Sequence, residues 1–313
     1  MISCTEFIPA YSTLFNYLEE NWGPEEVPAY WNMHFDPKKA PIYKYVSVDG
    51  LRGCYAYWSI ALNEEAADFT MYLNEKRGFY LLDMHHCPSK GRLLELQKEI
   101  GLTPYPHYCL HCDYYRASIE ASGLCYLYNF QHVDKAACSI LVYDPKLFDG
   151  RVIIDEDTMV MDRRAADNEY FHRAFHNSLN RGLDYLYSNY GEAHLRKYLQ
   201  VFATTVYSKI AEDARIRGLA AIQEKILDTY EKEHAREDVD ATLEDGILTV
   251  HVRRCPAIAF FKAQGTVVTP LYHLTTETVM QTLAANSGYE FSMDHYDPNT
   301  GEASYRFLPK QEV

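Results

Sequence analysis

The sequence predicts an α+β fold, arranged as a tandem duplication of one antiparallel-sheet-plus-helices domain that pairs with itself as a pseudo-dimer. Three observations predict it. A chain of 313 residues suits two domains at roughly 150 residues each. One shift, of 168 residues, brings distant segments into register. Within each half, the apolar pattern passes from helical spacing to alternation and back.

The register begins where Asn16-Tyr17-Leu18 with Asn21, Trp22 and Gly23 falls on Asp184-Tyr185-Leu186 with Asn189, Tyr190 and Gly191. It continues through Tyr30 on Tyr198, Gly50-Leu51 on Gly218-Leu219, Gly78 on Gly246 and Cys87-Pro88 on Cys255-Pro256. After that it slips by two or three residues: Thr103-Pro104 meets Thr269-Pro270, His107 meets His273, and Ser122-Gly123 meets Ser287-Gly288. The slips fall where loops are expected, and loops tolerate insertion. The predicted domains are therefore 1–158 and 159–313, joined by the acidic stretch Asp155–Asp167.

Each element follows in order. Each copy opens on helices, clearest over Leu179–His234, where Leu183, Leu186, Leu195, Leu199 and Phe202 keep helical spacing. A hairpin comes next: Phe69–Leu73 and Phe79–Met84 in the first copy, and strands around Asp245-Gly246 in the second, where Asp-Gly is a strong hairpin turn. Cys-Pro ends the second strand, and Pro opens a new element. A short helix follows (91–100 and 257–264), then a Pro-containing loop and a helix stopped by Gly123 or Gly288. Two strands close each copy, 124–130 with 139–143 and 289–293 with 303–307.

Net charge narrows the partners. It is −14, shared as −9 over residues 1–160 and −5 over the remainder, which argues against nucleic acid and anionic membranes. No run approaches the roughly 20 apolar residues of a membrane helix. The opening residues lack the pattern of a signal peptide, so eight Cys read as reduced thiols in a cytoplasmic protein. The expected partner is a small-molecule substrate or ligand, and a homo-oligomer is compatible with the chain. The 27 Tyr serve either as core and surface filler or as the wall of a half-wet pocket.

Chemistry concentrates in the first copy. Between His85 and Cys138 lie five of the 13 His and five of the 8 Cys. Three readings of Cys87, Cys109, Cys112 and Cys138 stay open. Thiolates are zinc ligands, and Cys109-x2-Cys112 is half of a zinc signature, with His107 or His111 in reserve. Alternatively, one thiol is a nucleophile and a His its base, with Asp113 or Asp83 orienting that His. Or the thiols are inert core. The second copy keeps Cys255 and His273 but nothing opposite Cys109, Cys112 or Cys138, so the first copy is expected to bear the site. Glu169, His172 and His176, at helical spacing, read mainly as a solvated or interdomain face, with metal binding as the lesser alternative. Dinucleotide, P-loop and α/β-hydrolase signatures are missing from the sequence.

The run of Cys87-Pro88, Cys112-Asp113, Gly123 and Ala136-Ala137-Cys138-Ser139-Ile140-Leu141 resembles the L-2-amino-thiazoline-4-carboxylic acid hydrolase-like family. The second copy follows it more weakly through Cys255-Pro256, Gly288 and Ala303-Ser304-Tyr305-Arg306-Phe307. The resemblance implies a hydrolase of a non-peptide C–N bond in a small cyclic amidine; the residue reading itself supplies the candidate catalytic residues Cys87, His107, Cys109, His111, Cys112 and Asp113. Tyr105, Tyr108, Tyr114 and Tyr115 would wall the pocket. The architecture is also similar to vinyl-reductase-type sensing domains, in which cysteines hold a structural zinc; that implies a non-enzymatic binding protein, for which the residue reading offers Cys87, Cys109, Cys112 and Cys138 as ligands.

Overall fold

The computed structural model describes residues 1–34 and 36–310. It is α+β, with two antiparallel sheets. Packing divides the chain into two units: Leu18–Glu95 with Tyr105–His172, and Met1–Tyr17 with Leu96–Pro104 and everything from Arg173 onward. This differs from a division at residues 158 and 159. Residues 159–172 pack with the first unit, and the opening 17 residues with the second.

The first unit holds the later part of helix α1 (Phe7–Trp22), then α2 (Glu26–His34) and α3 (Pro41–Glu64). Strands β1 (Asp68–Asn74) and β2 (Phe79–His86) follow, then the start of α4 (Pro88–Ile100). A 3-10 turn (Tyr108–Tyr114), α5 (Tyr115–Glu120), β3 (Cys125–Asn129), β4 (Cys138–Tyr143) and β5 (Met159–Arg163) complete it. The sheet order is β3-β4-β2-β1-β5. The core forms because α3 carries Ile42, Val46, Leu51, Cys54, Trp58 and Leu62 along one face, against inward residues of β1, β2 and β4. The spacing of that stripe breaks at Gly50, whose φ of 54° kinks the helix. Trp58 stacks on Tyr80 with centroids 5.4 Å apart, adding to the burial energy of two large rings.

The acidic linker expected at Asp155–Asp167 contains an edge strand instead. β5 pairs with β1, and its charges are used locally. Asp162 accepts from the Thr70 hydroxyl at 2.7 Å and from Arg164 at 2.7 Å. Charged residues are ordinary on an edge strand, which is why composition alone read as a linker.

The second unit holds α6 (Phe175–Tyr190), α7 (Glu192–Val206), α8 (Ser208–Arg217) and α9 (Leu219–Lys232). These are followed by β6 (Val239–Glu244), β7 (Ile247–Val252), α10 (Pro256–Gln264), α11 (Leu274–Ser287), β8 (Tyr289–Tyr296) and β9 (Ala303–Pro309). Its sheet runs β6-β7-β9-β8, the order of β1-β2-β4-β3. The local joint is also alike. The Cys87 N–H donates to the Ala136 carbonyl at 2.6 Å, and the Cys255 N–H to the Thr300 carbonyl at 3.1 Å.

At the second joint Gly301 has a φ of +67°, and a Cβ there would sit 2.2 Å from Cys255 Cβ. Gly301→Ala is therefore expected to lower stability by about 1–3 kcal/mol, read as a fall in the urea midpoint. An unchanged midpoint would show that the joint yields. Among the described residues, no helix is long and apolar enough to cross a membrane.

Candidate functional site

The site is built from four segments of the first unit. Cys87 ends β2 and precedes α4: its carbonyl accepts the Gly91 N–H at 2.8 Å, and its sulfur the Lys90 N–H at 3.5 Å. The 3-10 turn carries Tyr108, Cys109, His111 and Cys112. Residues three apart eclipse in such a turn, so Cys109 and Cys112 share a face, as do Tyr108 and His111, whose rings lie 4.9 Å apart. β3 supplies Tyr128, and β4 with the loop before it supplies Ala136, Cys138 and Ile140. All of these line one cavity of about 100 Å³, closed below by Trp58, Leu62 and Glu65 of the α3 end and with Lys90 and Tyr115 also in its wall.

The turn is pinned from outside the cavity. Tyr126 donates its hydroxyl to the Cys112 carbonyl at 2.9 Å. Asp113 pairs with Arg116 at 2.7 Å, and Arg116 also donates to the Tyr126 carbonyl at 2.6 Å. Asp113 thus holds the turn in place and does not orient an imidazole, which corrects the role expected for it. Asp83 is exposed on β2, 3.8 Å from His85, and does not orient His111 either.

Hydrogen bonding fixes the His111 tautomer. Its Nδ1 faces the Tyr108 carbonyl. A carbonyl only accepts, so Nδ1 carries the proton and Nε2 the lone pair. Cys112 Sγ lies 3.6 Å from that Nε2, so the thiol donates to a base already oriented by a third group. Such a pair can pass the thiol proton to the imidazole. Tyr128 lines the cavity with the Cys112 and Cys138 thiols.

Burial favours the neutral forms of the cavity thiols, His111 and Glu65. It pushes the Cys109, Cys112 and Cys138 thiols up to about 12 and Cys87 higher still. It lowers the His111 imidazole, against the upward pull of the Tyr108 carbonyl. It raises the Glu65 carboxyl, against the nearby His172 and the Ser89 hydroxyl at 3.3 Å. Glu65 therefore keeps its proton to higher pH than a free carboxylic acid.

Linkage gives this a sign. The folded pKa of Glu65 lies above its ordinary 4.5, so the stability tied to its proton is complete below that value and is lost as pH rises through the raised folded pKa. Glu65→Gln is expected to flatten the stability profile across that window. Superposable profiles for the two proteins, from urea midpoints at stepped pH, would refute the assignment.

Of the predicted residues, Cys87, Cys109, His111, Cys112 and Cys138 meet in the cavity, with Tyr108 and Tyr115. His107 is exposed beside the Tyr105 ring, 5.8 Å away. Tyr105 donates to Glu19 at 2.8 Å and Tyr114 packs on Trp31, so neither walls the cavity. Cys87, Cys109, Cys112 and Cys138 line one cavity, but among the described residues they form no group of three or more ligands that closes to within 4.8 Å. Tetrahedral zinc–sulfur bonds put sulfurs about 3.8 Å apart. Among the described residues, the group of three or more metal-ligating side chains that closes to within 4.8 Å is Cys4, His176 and Glu233, in the other unit.

Glu169, His172 and His176 do not share a helix face. α6 begins at Phe175, so only His176 is helical; His172 pairs with Glu64 and His176 with Glu233. Around Cys255, where the second unit corresponds, Tyr272, Tyr296 and Met1 leave about 10 Å³.

Sequence reasoning missed Glu65 and Tyr128. Tyr128 alternates inward on β3 with Tyr126, a signal that was available; Glu65, next to Glu64 at a helix end, looked solvent-facing. Comparison of the chain with family models, curated proteins and solved structures finds no match.

Proposed function

We propose that the protein is a hydrolase of a C–N bond in a small cyclic amidine, of the 2-amino-thiazoline carboxylate kind, with its site in the Cys/His cavity. The observation that carries this reading is the fixed tautomer of His111, which aims a lone pair at the Cys112 thiol. Cavity size supports it: about 100 Å³ suits a small ring, well short of the roughly 300–1,000 Å³ of sites for drug-sized ligands. Lys90 in the wall offers a cation to a substrate carboxylate.

The steps balance. Cys112 Sγ bonds to the amidine carbon, and its proton passes through His111 Nε2 to the amidine nitrogen. The C–N bond breaks as the leaving nitrogen takes the Glu65 proton. One water then attacks the thioimidate carbon, returning a proton to Glu65, and Sγ departs and recovers its proton by way of His111. Amidine and water become amide and amine, with the enzyme unchanged. Cys109, Cys138 and Tyr128 shape the pocket.

The strand orders β1-β2-β4-β3 and β6-β7-β9-β8 support a tandem duplication, with the catalytic cavity in the first copy only. Eight free cysteines favour a reducing, cytoplasmic setting.

The rival reading is a non-enzymatic small-molecule sensor, favoured by thiols that burial keeps neutral. Incubation with 2-amino-thiazoline-4-carboxylate, followed by acid quench and mass spectrometry, separates the two. Carbamoyl product with a covalent adduct on the Cys112 peptide supports hydrolysis. Binding without product or adduct gives the sensor.

A further inference from the structure

We propose that the second unit carries a buried centre for a zinc-like divalent cation, formed by Cys4, His176 and Glu233. The three come from separate elements: the 3-10 turn at Cys4–Glu6, the first turn of α6, and the residue after α9. They are 1%, 1% and 3% exposed, and their ligand atoms all lie within 4.8 Å of one another. His176 Nε2 is 3.1 Å from Glu233 Oε2, near the edge of a tetrahedron with bonds of about 2.0 Å. The other carboxylate oxygen accepts the Cys4 N–H at 2.6 Å. That bond orients the carboxylate and leaves Oε2 for the cation, as outer hydrogen bonds do in metal sites.

A second observation points to a ligand. Buried polar atoms are normally hydrogen-bonded, yet the Tyr272 hydroxyl has no partner. Tyr272 is 3% exposed and lies within electrostatic reach of both Glu233 and Cys4. A cation held by three protein ligands leaves its fourth position to a water.

Charge also balances. One thiolate, one carboxylate and a neutral imidazole neutralise a dication, so the loaded centre puts no net charge in the core. Binding releases the thiol proton to solvent. A mixed sulfur, nitrogen and oxygen set suits zinc over magnesium or calcium. The burial of all three ligands makes the centre structural, clamping the 3-10 turn to α6 and the end of α9. It stands apart from the proposed hydrolase site, so either can fail alone.

The test uses the full chain, loaded with zinc, desalted and assayed for metal, with cobalt substitution as a second readout. About one zinc per chain is expected, together with a thiolate-to-cobalt charge-transfer absorption in the near ultraviolet. Cys4→Ser, a small change, should lose that absorption; Cys112→Ser and Cys138→Ser should keep it. Wild-type protein that retains no zinc overturns the proposal even if the Cys4 variant does not fold. So does an absorption that disappears with the cavity variants and survives Cys4→Ser.

Discussion

Cys112→Ala is expected to lower turnover of 2-amino-thiazoline-4-carboxylate by about 10³-fold or more, with the fold retained. The reason lies in the geometry of one turn. Among the cavity thiols, Cys112 is the one set 3.6 Å from His111 Nε2. Without such a base, a thiol pushed up to about 12 by burial delivers almost no thiolate at neutral pH. Cys109→Ala and Cys138→Ala change the pocket wall and leave the dyad, so each should cost about tenfold, the scale of a misplaced substrate. Fold retention follows because the contact pinning the turn is made by the Cys112 carbonyl, which accepts from Tyr126, and alanine keeps that carbonyl. Rates at saturating substrate decide it, with circular dichroism as the control. Full activity in Cys112→Ala, or a dead Cys109→Ala beside it, would reassign the nucleophile.

What the sequence could and could not reveal divides along the range of the interactions. The second hairpin was legible because its turn is local: Asp245 and Gly246 both take positive φ, 50° and 75°, which Asp-Gly tolerates. The gathering of Cys87, Cys109, Cys112 and Cys138 was legible as density along the chain and as a strand-to-helix junction marked by Cys-Pro. Asp113 misled for the same local reason. Its neighbour in sequence is a cysteine and its second neighbour a histidine, but on the structured turn its carboxylate faces Arg116, three residues on. Glu65 was invisible because its surroundings are distant in sequence: burial raises its carboxyl while His172, Ser89 and His111 pull the other way, and no spacing rule connects them. The cluster of His176 with Cys4 and Glu233 is the extreme case. Its members are 172 and 57 residues from His176, and each alone reads as an ordinary buried or helical residue.

That cluster gives the largest expected effect on stability. Glu233→Ala should cost about 2–6 kcal/mol in metal-free protein, at about 1–3 kcal/mol for each of two buried donors left unpaired. The Glu233 side chain is 0% exposed, and it takes both the Cys4 N–H at 2.6 Å and the His176 imidazole at 3.1 Å. Alanine leaves both donors buried and unpaired, and that desolvation cost, more than the lost attraction, sets the size of the effect. Asp213→Ala is the matched control. It breaks an i,i+4 pair with Arg217 on α8 whose side chains are 43% and 44% exposed, and exposed pairs contribute only about 0–1 kcal/mol. Urea midpoints of the two variants should therefore separate widely, and near-equal midpoints would show that the cluster tolerates water. Excess zinc sharpens the comparison. A cation that binds the folded chain alone raises its stability by RT ln(1 + [Zn]/Kd), so the wild-type midpoint should climb with added zinc while that of Glu233→Ala stays put. If both climb together, the cation is held elsewhere and the cluster's contribution is that of its hydrogen bonds alone.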